Sequence, residues 1–329
     1  MDQFKAVLIS RDEEKKQSVD WATLTPDDLM EGDVTVRVHH STVNYKDGLA
    51  ITGKSPVVRR WPMIPGIDFV GEVVSSDHAD YQAGDWVVLN GWGVGETHYG
   101  GYAQLARVSG DWLVPLPDGL TAKETMSVGT AGYTAMLSVL ALEEAGVTPD
   151  QGPVLVTGAN GGVGSIAVLL LSQLGFEVHA STGRTDQEEF LRGLGAHEII
   201  DRATLSEPGR PLGGEVWAGA VDSVGSHTLA NVLAQTKRGG TVAACGLAQG
   251  FDLPSTVMPF ILRGVRLQGV DSVMAPKERR VEAWSRIATL LGTEQLASIS
   301  TEVSFDQVVQ ACHDILDGKI RGRVVVNID

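Results

Sequence analysis

The chain has 329 residues, of which 43% are hydrophobic and 20% charged, and its 41 acidic against 26 basic residues give a formal net charge of −15. That length exceeds one ordinary hydrophobic core, so two domains of a soluble globular protein are expected. Such acidity excludes broad nucleic-acid binding and requires a local basic patch for any polyanionic ligand.

Strands are expected over 5–10, 34–40, 68–74 and 86–89, where alternating or apolar runs are punctuated by Gly and Pro. Together they make a compact β domain. Tyr81-Gln82-Ala83-Gly84-Asp85 is a turn entering a strand, and Pro115-Leu116-Pro117-Asp118-Gly119 marks the exit from the domain. Thr121, with Glu124 three positions on, forms a capping box for a helix through Met126.

Val154-Leu155-Val156-Thr157 then runs into Gly158-Ala159-Asn160-Gly161-Gly162-Val163-Gly164-Ser165 and an apolar helix over 166–174. A strand entering a helix through glycines binds a dinucleotide: Gly161 admits the pyrophosphate, Gly164 lets helix and strand pack closely, and the helix N-terminus offers free N–H groups. Asn160, Gly161, Gly162 and Val163 are the candidate contacts. The next strand, over 176–181, ends in Ser181-Thr182-Gly183-Arg184 where an NAD-binding unit carries a ribose-binding carboxylate. Hydroxyls and a guanidinium suit a 2′-phosphate, which favours NADPH, although Arg184 also reads as a solvated residue opening a helix over 186–194.

Further strands are expected over 198–200, 217–222, 241–246 and 266–270, with helices over 227–235 and 277–291, completing a doubly wound parallel sheet. The tail, 322–327, is a strand with no following helix and should pair with the β domain. Cys245 and Cys312 are too few for a disulfide framework, have no zinc-site spacing, and read as packing residues. Neither an apolar run of membrane-spanning length nor a signal-peptide layout at Met1-Asp2-Gln3-Phe4-Lys5 is evident, so a cytoplasmic protein with no membrane partner is expected.

Asn44-Tyr45-Lys46-Asp47, Pro65-Gly66-Ile67-Asp68-Phe69-Val70-Gly71-Glu72-Val73 and Gly129-Thr130-Ala131-Gly132-Tyr133-Thr134-Ala135, followed by the glycine loop, resemble the medium-chain dehydrogenase/reductase superfamily over essentially the whole chain. Gly91-Trp92-Gly93-Val94-Gly95-Glu96, Gly110-Asp111-Trp112-Leu113-Val114, Val257-Met258-Pro259-Phe260-Ile261-Leu262-Arg263 and 266–273 are similar to its NADPH-dependent acryloyl-CoA reductases, often labelled quinone oxidoreductases. The resemblance implies an α/β protein: a GroES-like β-barrel-type domain over 1–122 and 297–329, and an NADPH-binding Rossmann domain over 123–296. Where the superfamily's zinc alcohol dehydrogenases carry a metal-binding His and Cys, this chain has Ile67 and Asn44, so no metal is expected.

By the same resemblance the activity is hydride transfer from NADPH to the β-carbon of an enoyl thioester, acryloyl-CoA, followed by protonation of the enolate. Tyr45 is the candidate catalytic residue beside the nicotinamide, with Asn44 and Asp47 orienting it; its other reading is a core aromatic. Thr130, Ser223, Leu247, Phe260, Ile261 and Arg323 are further cofactor candidates, the apolar ones being core by default and Arg323 otherwise a solvated strand-end residue. Lys54, Arg59 and Arg60, beside Trp61, suit coenzyme A phosphates or, equally on charge pattern alone, ion pairs with surface carboxylates. A homodimer is implied, with no nucleic-acid partner. A quinone or general enone reductase, or a non-catalytic NADPH-binding protein, would present the same motifs.

Overall fold

Val34, Val36 and Val38 alternate with Thr35, Arg37 and His39 along the strand Val34–Thr42, so the valines enter one core while their neighbours stay at least partly exposed. This strand anchors a seven-stranded sheet in the computed structural model, which describes residues 2–329 apart from the side chain of Thr185. The sheet runs Ser300–Ser304, Arg323–Asn327, Val34–Thr42, Asp68–Ser76, Trp86–Asn90 and Leu113–Pro115, and Leu105–Val108 also pairs with Val34–Thr42. The terminal strand Arg323–Asn327 finds two partners: it is antiparallel to Val34–Thr42, with Val326 opposite Ser41, and parallel to Ser300–Ser304. A separate hairpin joins Phe4–Arg11 to Gln17–Leu24, whose second strand is no more than half-buried anywhere and so carries little apolar signal.

In the other sheet all six strands are parallel, in the order Ala196–Asp201, Val178–Thr182, Val154–Thr157, Trp217–Asp222, Thr236–Ala244 and Arg266–Gly269. That order reverses direction between the third and fourth strands, placing the carboxyl end of Val154–Thr157 at the switch point where ligands bind in doubly wound sheets. The fifth strand starts earlier than the apolar run suggests, because Thr236 already pairs with Trp217 before the register shifts.

The chain divides into two units, Met1–Thr130 with Val273–Asp329, and Ala131–Ser272. The helix begun by the Thr121 capping box does not stop at Met126; it runs Ala122–Glu144 with a break at Gly129, whose φ of 52° and ψ of −161° are open only to glycine. By length and composition it is apolar enough to cross a membrane, but 89% of its most apolar stretch lies inside the protein, as in a core helix. The division therefore falls at 130 rather than 122. The return comes at 273 rather than 297, because Arg280 of the helix Lys277–Leu290 donates to the carbonyls of Asn90 (2.6 Å) and Val273 (2.7 Å), and Trp284 Nε1 to Asn90 Oδ1 (3.2 Å).

Candidate functional site

The strand Val154–Thr157 is buried along its length and turns at Gly158, which sits at φ 62°. A Cβ on Gly164 would lie 2.3 Å from the Gly158 carbonyl oxygen, so only glycine lets the helix Gly162–Gln173 start this close to the strand. Gly161 is the N-cap, and Gly162 and Val163 open the first turn, where N–H groups have no partner within the helix. Asn160, 3% exposed, ties this turn to the next strand by donating Nδ2 to Thr182 Oγ1 at 2.6 Å, while its Oδ1 is buried with no partner. An orphaned acceptor beside the first-turn N–H groups of Gly162 and Val163, which have no partner within the helix, fits a bound dinucleotide.

The end of the strand Val178–Thr182 differs from the sequence expectation. Ser181 and Thr182 are buried, and Thr182 Oγ1 already accepts from Asn160 Nδ2 and from the Arg184 N–H (3.0 Å), so it braces the turn instead of facing outward. Gly183 is exposed and Arg184 half-buried. The residue that sequence reasoning missed is Arg202: a Cβ on Gly183 would be 2.3 Å from its Nε, so the guanidinium lies against the Gly183 backbone. Its signal was available only through register, since Asp201 pairs with Thr182 across the parallel strands and brings the two strand ends side by side. In the same unit Ser223 spends its hydroxyl on the Thr157 carbonyl (3.1 Å), Leu247 and Ile261 are 64% and 72% exposed, and Phe260 packs half-buried on the core.

In the GroES-like unit, Asn44 caps the helix Tyr45–Thr52. Its N–H and Nδ2 both donate to Asp47 Oδ2 (2.9 and 3.1 Å), its Nδ2 also reaches Asp68 Oδ1 (3.2 Å), and Asp47 Oδ1 accepts from the Ile67 N–H (3.0 Å). Asp68 Oδ2 accepts from the Thr130 N–H at 2.6 Å. Arg323 is 2% exposed, which corrects its reading as a solvated strand-end residue. Its guanidinium is internal: it donates to Thr42 Oγ1 (2.8 Å), Asn44 Oδ1 (3.3 Å) and the carbonyls of Ser127 and Val43, so it acts on Asn44 and the Gly129 break rather than on a surface ligand. Tyr45, in contrast, is 50% exposed at the first turn, so it is not a core aromatic.

Burial, and then the Asp68 carboxylate, push the Asp47 pKa up to about 7; burial also raises Asp68 against the pull of Arg323 and lowers Arg323 itself. This donor set does not fit zinc. Ile67 has no lone pair, Asn44 is committed to two carboxylates and a guanidinium, and among the described residues no group of three His, Cys, Asp or Glu could hold a metal.

The loop after this helix separates the three cations that the sequence sets together. Lys54 lines a pocket with Arg11 and Trp61, whereas Arg59 and Arg60 are exposed outside it and Arg60 lies toward His98 and Tyr99. Among the described residues none of the three makes an ion pair within 4.0 Å, although Lys54 acts on the Asp317 carboxylate at longer range.

A glycine-loop unit and a GroES-like unit in one chain define a class of two-domain oxidoreductase, and comparison with known proteins narrows it. The family model for the alcohol dehydrogenase GroES-like domain matches 30–118, and that for zinc-binding dehydrogenase matches 162–289. The chain is 52% identical to the probable acrylyl-CoA reductase AcuI of Escherichia coli over 98% of this chain and 99% of that one, and 51% identical to the acrylyl-CoA reductase AcuI of Ruegeria pomeroyi over 99% of each. The crystal structure of the yhdH oxidoreductase from Salmonella enterica in complex with NADP superposes with a TM-score of 0.97 at 51% identity, covering 99% of this chain and all of that one. The chain belongs to the medium-chain dehydrogenase/reductase superfamily, in its quinone oxidoreductase-like branch.

Proposed function

We propose that this protein is an NADPH-dependent reductase of the C=C bond of acryloyl-CoA, producing propanoyl-CoA. The observation that carries the reading is the Asn44–Asp47–Asp68 network: Asn44, at one of the two positions that hold zinc in the superfamily's alcohol dehydrogenases, is tied to two carboxylates, and Ile67, at the other, has no lone pair, so these residues hold no Lewis acid to activate an alcohol. An enoyl thioester needs none, because its carbonyl already activates the β-carbon. The acrylyl-CoA reductase names of two relatives and the NADP held by a third support the substrate and cofactor.

NADPH, when bound, supplies the hydride. Gly162 and Val163 would offer N–H groups to its pyrophosphate beside Gly161, whose own N–H donates to the Gly158 carbonyl at 2.9 Å; the Asn160 Oδ1 would accept from a cofactor hydroxyl, and Gly183, Arg184 and Arg202 would meet the 2′-phosphate, with Ser181 and Thr182 supporting them. Leu247, Phe260 and Ile261 supply apolar cover for the ring, and Ser223 holds the glycine turn. Hydride arrival at the β-carbon leaves an enolate; the half-exposed Tyr45 phenol hydrogen-bonds its oxygen and supplies the α-carbon proton directly or through water. Asn44 and Asp47 fix the first helical turn that carries Tyr45, while Asp68 and Arg323 fix Asn44 and Thr130.

The test is NADPH oxidation with acryloyl-CoA, crotonoyl-CoA and a benzoquinone. Turnover with acryloyl-CoA well above the quinone supports the reading, a preference for quinone makes the protein a quinone reductase, and no oxidation with any of them makes it a binding protein.

A further inference from the structure

In the GroES-like unit, a pocket of about 190 Å³ lies at the far end of the helix Tyr45–Thr52 from Asn44, lined among others by Arg11, Gln17, Gly53, Lys54, Ser55 and Trp61. None of its lining residues is acidic. On a chain of net charge −15, a lining with two cations and no carboxylate favours a ligand with phosphates. The Arg11 guanidinium lies over Trp61, its carbon 4.1 Å from the ring centre, a cation–π contact that leaves its N–H groups available to donate. Among the described residues neither Arg11 nor Lys54 has an ion-pair partner; Asp317, the carboxylate that feels Lys54, is paired with Lys319 at 2.9 Å.

The pocket adjoins the C-terminus of the helix Tyr45–Thr52, whose free carbonyls would repel an anion. Gln17 removes that obstacle, donating its Nε2 to the carbonyls of both Ala50 and Ile51 at 2.9 Å each. The helix then stops at Gly53, where a positive φ of 67° turns the chain back along the pocket rim.

We infer that this pocket binds the phosphates of a phosphorylated adenosine, specifically the nucleotide end of the coenzyme A thioester. The inference rests on the function proposed above and locates the substrate's remote half. The helix between Tyr45 and Gly53 spans roughly 12 Å at 1.5 Å per residue, a gap that the flexible pantetheine arm of coenzyme A bridges. A thioester at Tyr45 and phosphates at Arg11 and Lys54 are therefore compatible. Arg59 and Arg60, outside the pocket, act as longer-range attraction that salt screens.

Acryloyl-CoA and acryloyl-pantetheine, which lacks the nucleotide, are compared as substrates of wild type, Arg11→Ala/Lys54→Ala and the exposed single variant Lys54→Glu. Adenosine 3′,5′-bisphosphate is titrated calorimetrically into the same proteins already saturated with NADP. The expected result is a KM for acryloyl-CoA raised at least tenfold in both variants, unchanged kinetics with acryloyl-pantetheine, and bisphosphate binding by wild type alone. Arg59→Ala/Arg60→Ala should have a smaller effect that vanishes at high salt. Equal losses on both thioesters, or no loss, overturn the pocket assignment while leaving the reductase reading intact. If wild type reduces neither thioester the function fails, and the bisphosphate titration then decides the pocket alone: binding that needs Arg11 and Lys54 retains it as a nucleotide-phosphate site, and no binding removes it.

Discussion

The main-chain N–H of Thr130 donates to Asp68 Oδ2 across 2.6 Å, joining the break in the long helix to the strand Asp68–Ser76. The break is built on Gly129. A Cβ there would meet Thr42 Cγ2 at 2.6 Å, Arg323 Nη2 at 2.7 Å and Asp68 Oδ2 at 3.0 Å. Gly129→Ala should therefore destabilise the protein by more than the roughly 1–3 kcal/mol of a strained backbone position, since it also disrupts buried polar contacts. Urea unfolding of the purified variant measures this, and a midpoint equal to that of wild type would remove the claim.

Stability should depend on pH through Asp47. Its folded pKa of about 7 lies above the ordinary aspartate value of 3.8, so the folded state keeps a proton that the unfolded state has lost between those values. Its contribution is full below the unfolded pKa and is lost as pH rises toward 7, with a slope of about 1.4 kcal/mol per pH unit at most. His40 and His98, lowered by burial, tilt the other way as pH falls below the ordinary histidine value of 6.5. Both are common to wild type and Asp47→Asn, so the difference between the two unfolding curves from pH 5 to 8 reads Asp47 together with the Asp68 carboxylate coupled to it. A flat difference would show that Asp47 is ionised throughout.

Cofactor choice should rest on Arg184 and Arg202 together. Each charge-assisted contact to a 2′-phosphate is worth about 1.5–3 kcal/mol, so Arg184→Ala and Arg202→Ala should each raise the KM for NADPH about tenfold or more. The KM for NADH should hardly move. Parallel losses with both cofactors would separate these residues from the 2′-phosphate.

Metal should be dispensable, because Asn44, Asp47 and Asp68 satisfy one another and Ile67 stands among them. Activity should survive exhaustive chelation, and elemental analysis should find no stoichiometric zinc. One zinc per chain would contradict the donor-set argument.

Assembly should use the strand Arg266–Gly269, all four residues of which are exposed and which pairs on one side only, with Thr236–Ala244. Leu267, Val257 and Ile261 add exposed apolar surface in the same unit, at 36%, 65% and 72%. Edges of this kind recruit a two-fold copy. Light scattering at micromolar concentration should give a homodimer, and Leu267→Lys should shift it to monomer; a monomeric wild type would refute the interface.

The dinucleotide turn, the parallel sheet and the missing zinc ligands were legible in the chain itself, because each depends on residue type at short spacing: glycines where Cβ atoms would clash, an apolar strand before a helix, Ile67 where a metal needs a lone pair. Tertiary structure alone decided the rest. It buried Thr182 as a brace, laid Arg202 on Gly183, set Arg11 over Trp61 and carried Arg323 from the final strand to Asn44. These contacts join residues far apart in sequence through strand register and packing, and local periodicity carries no information about which distant side chain will arrive at a given backbone surface.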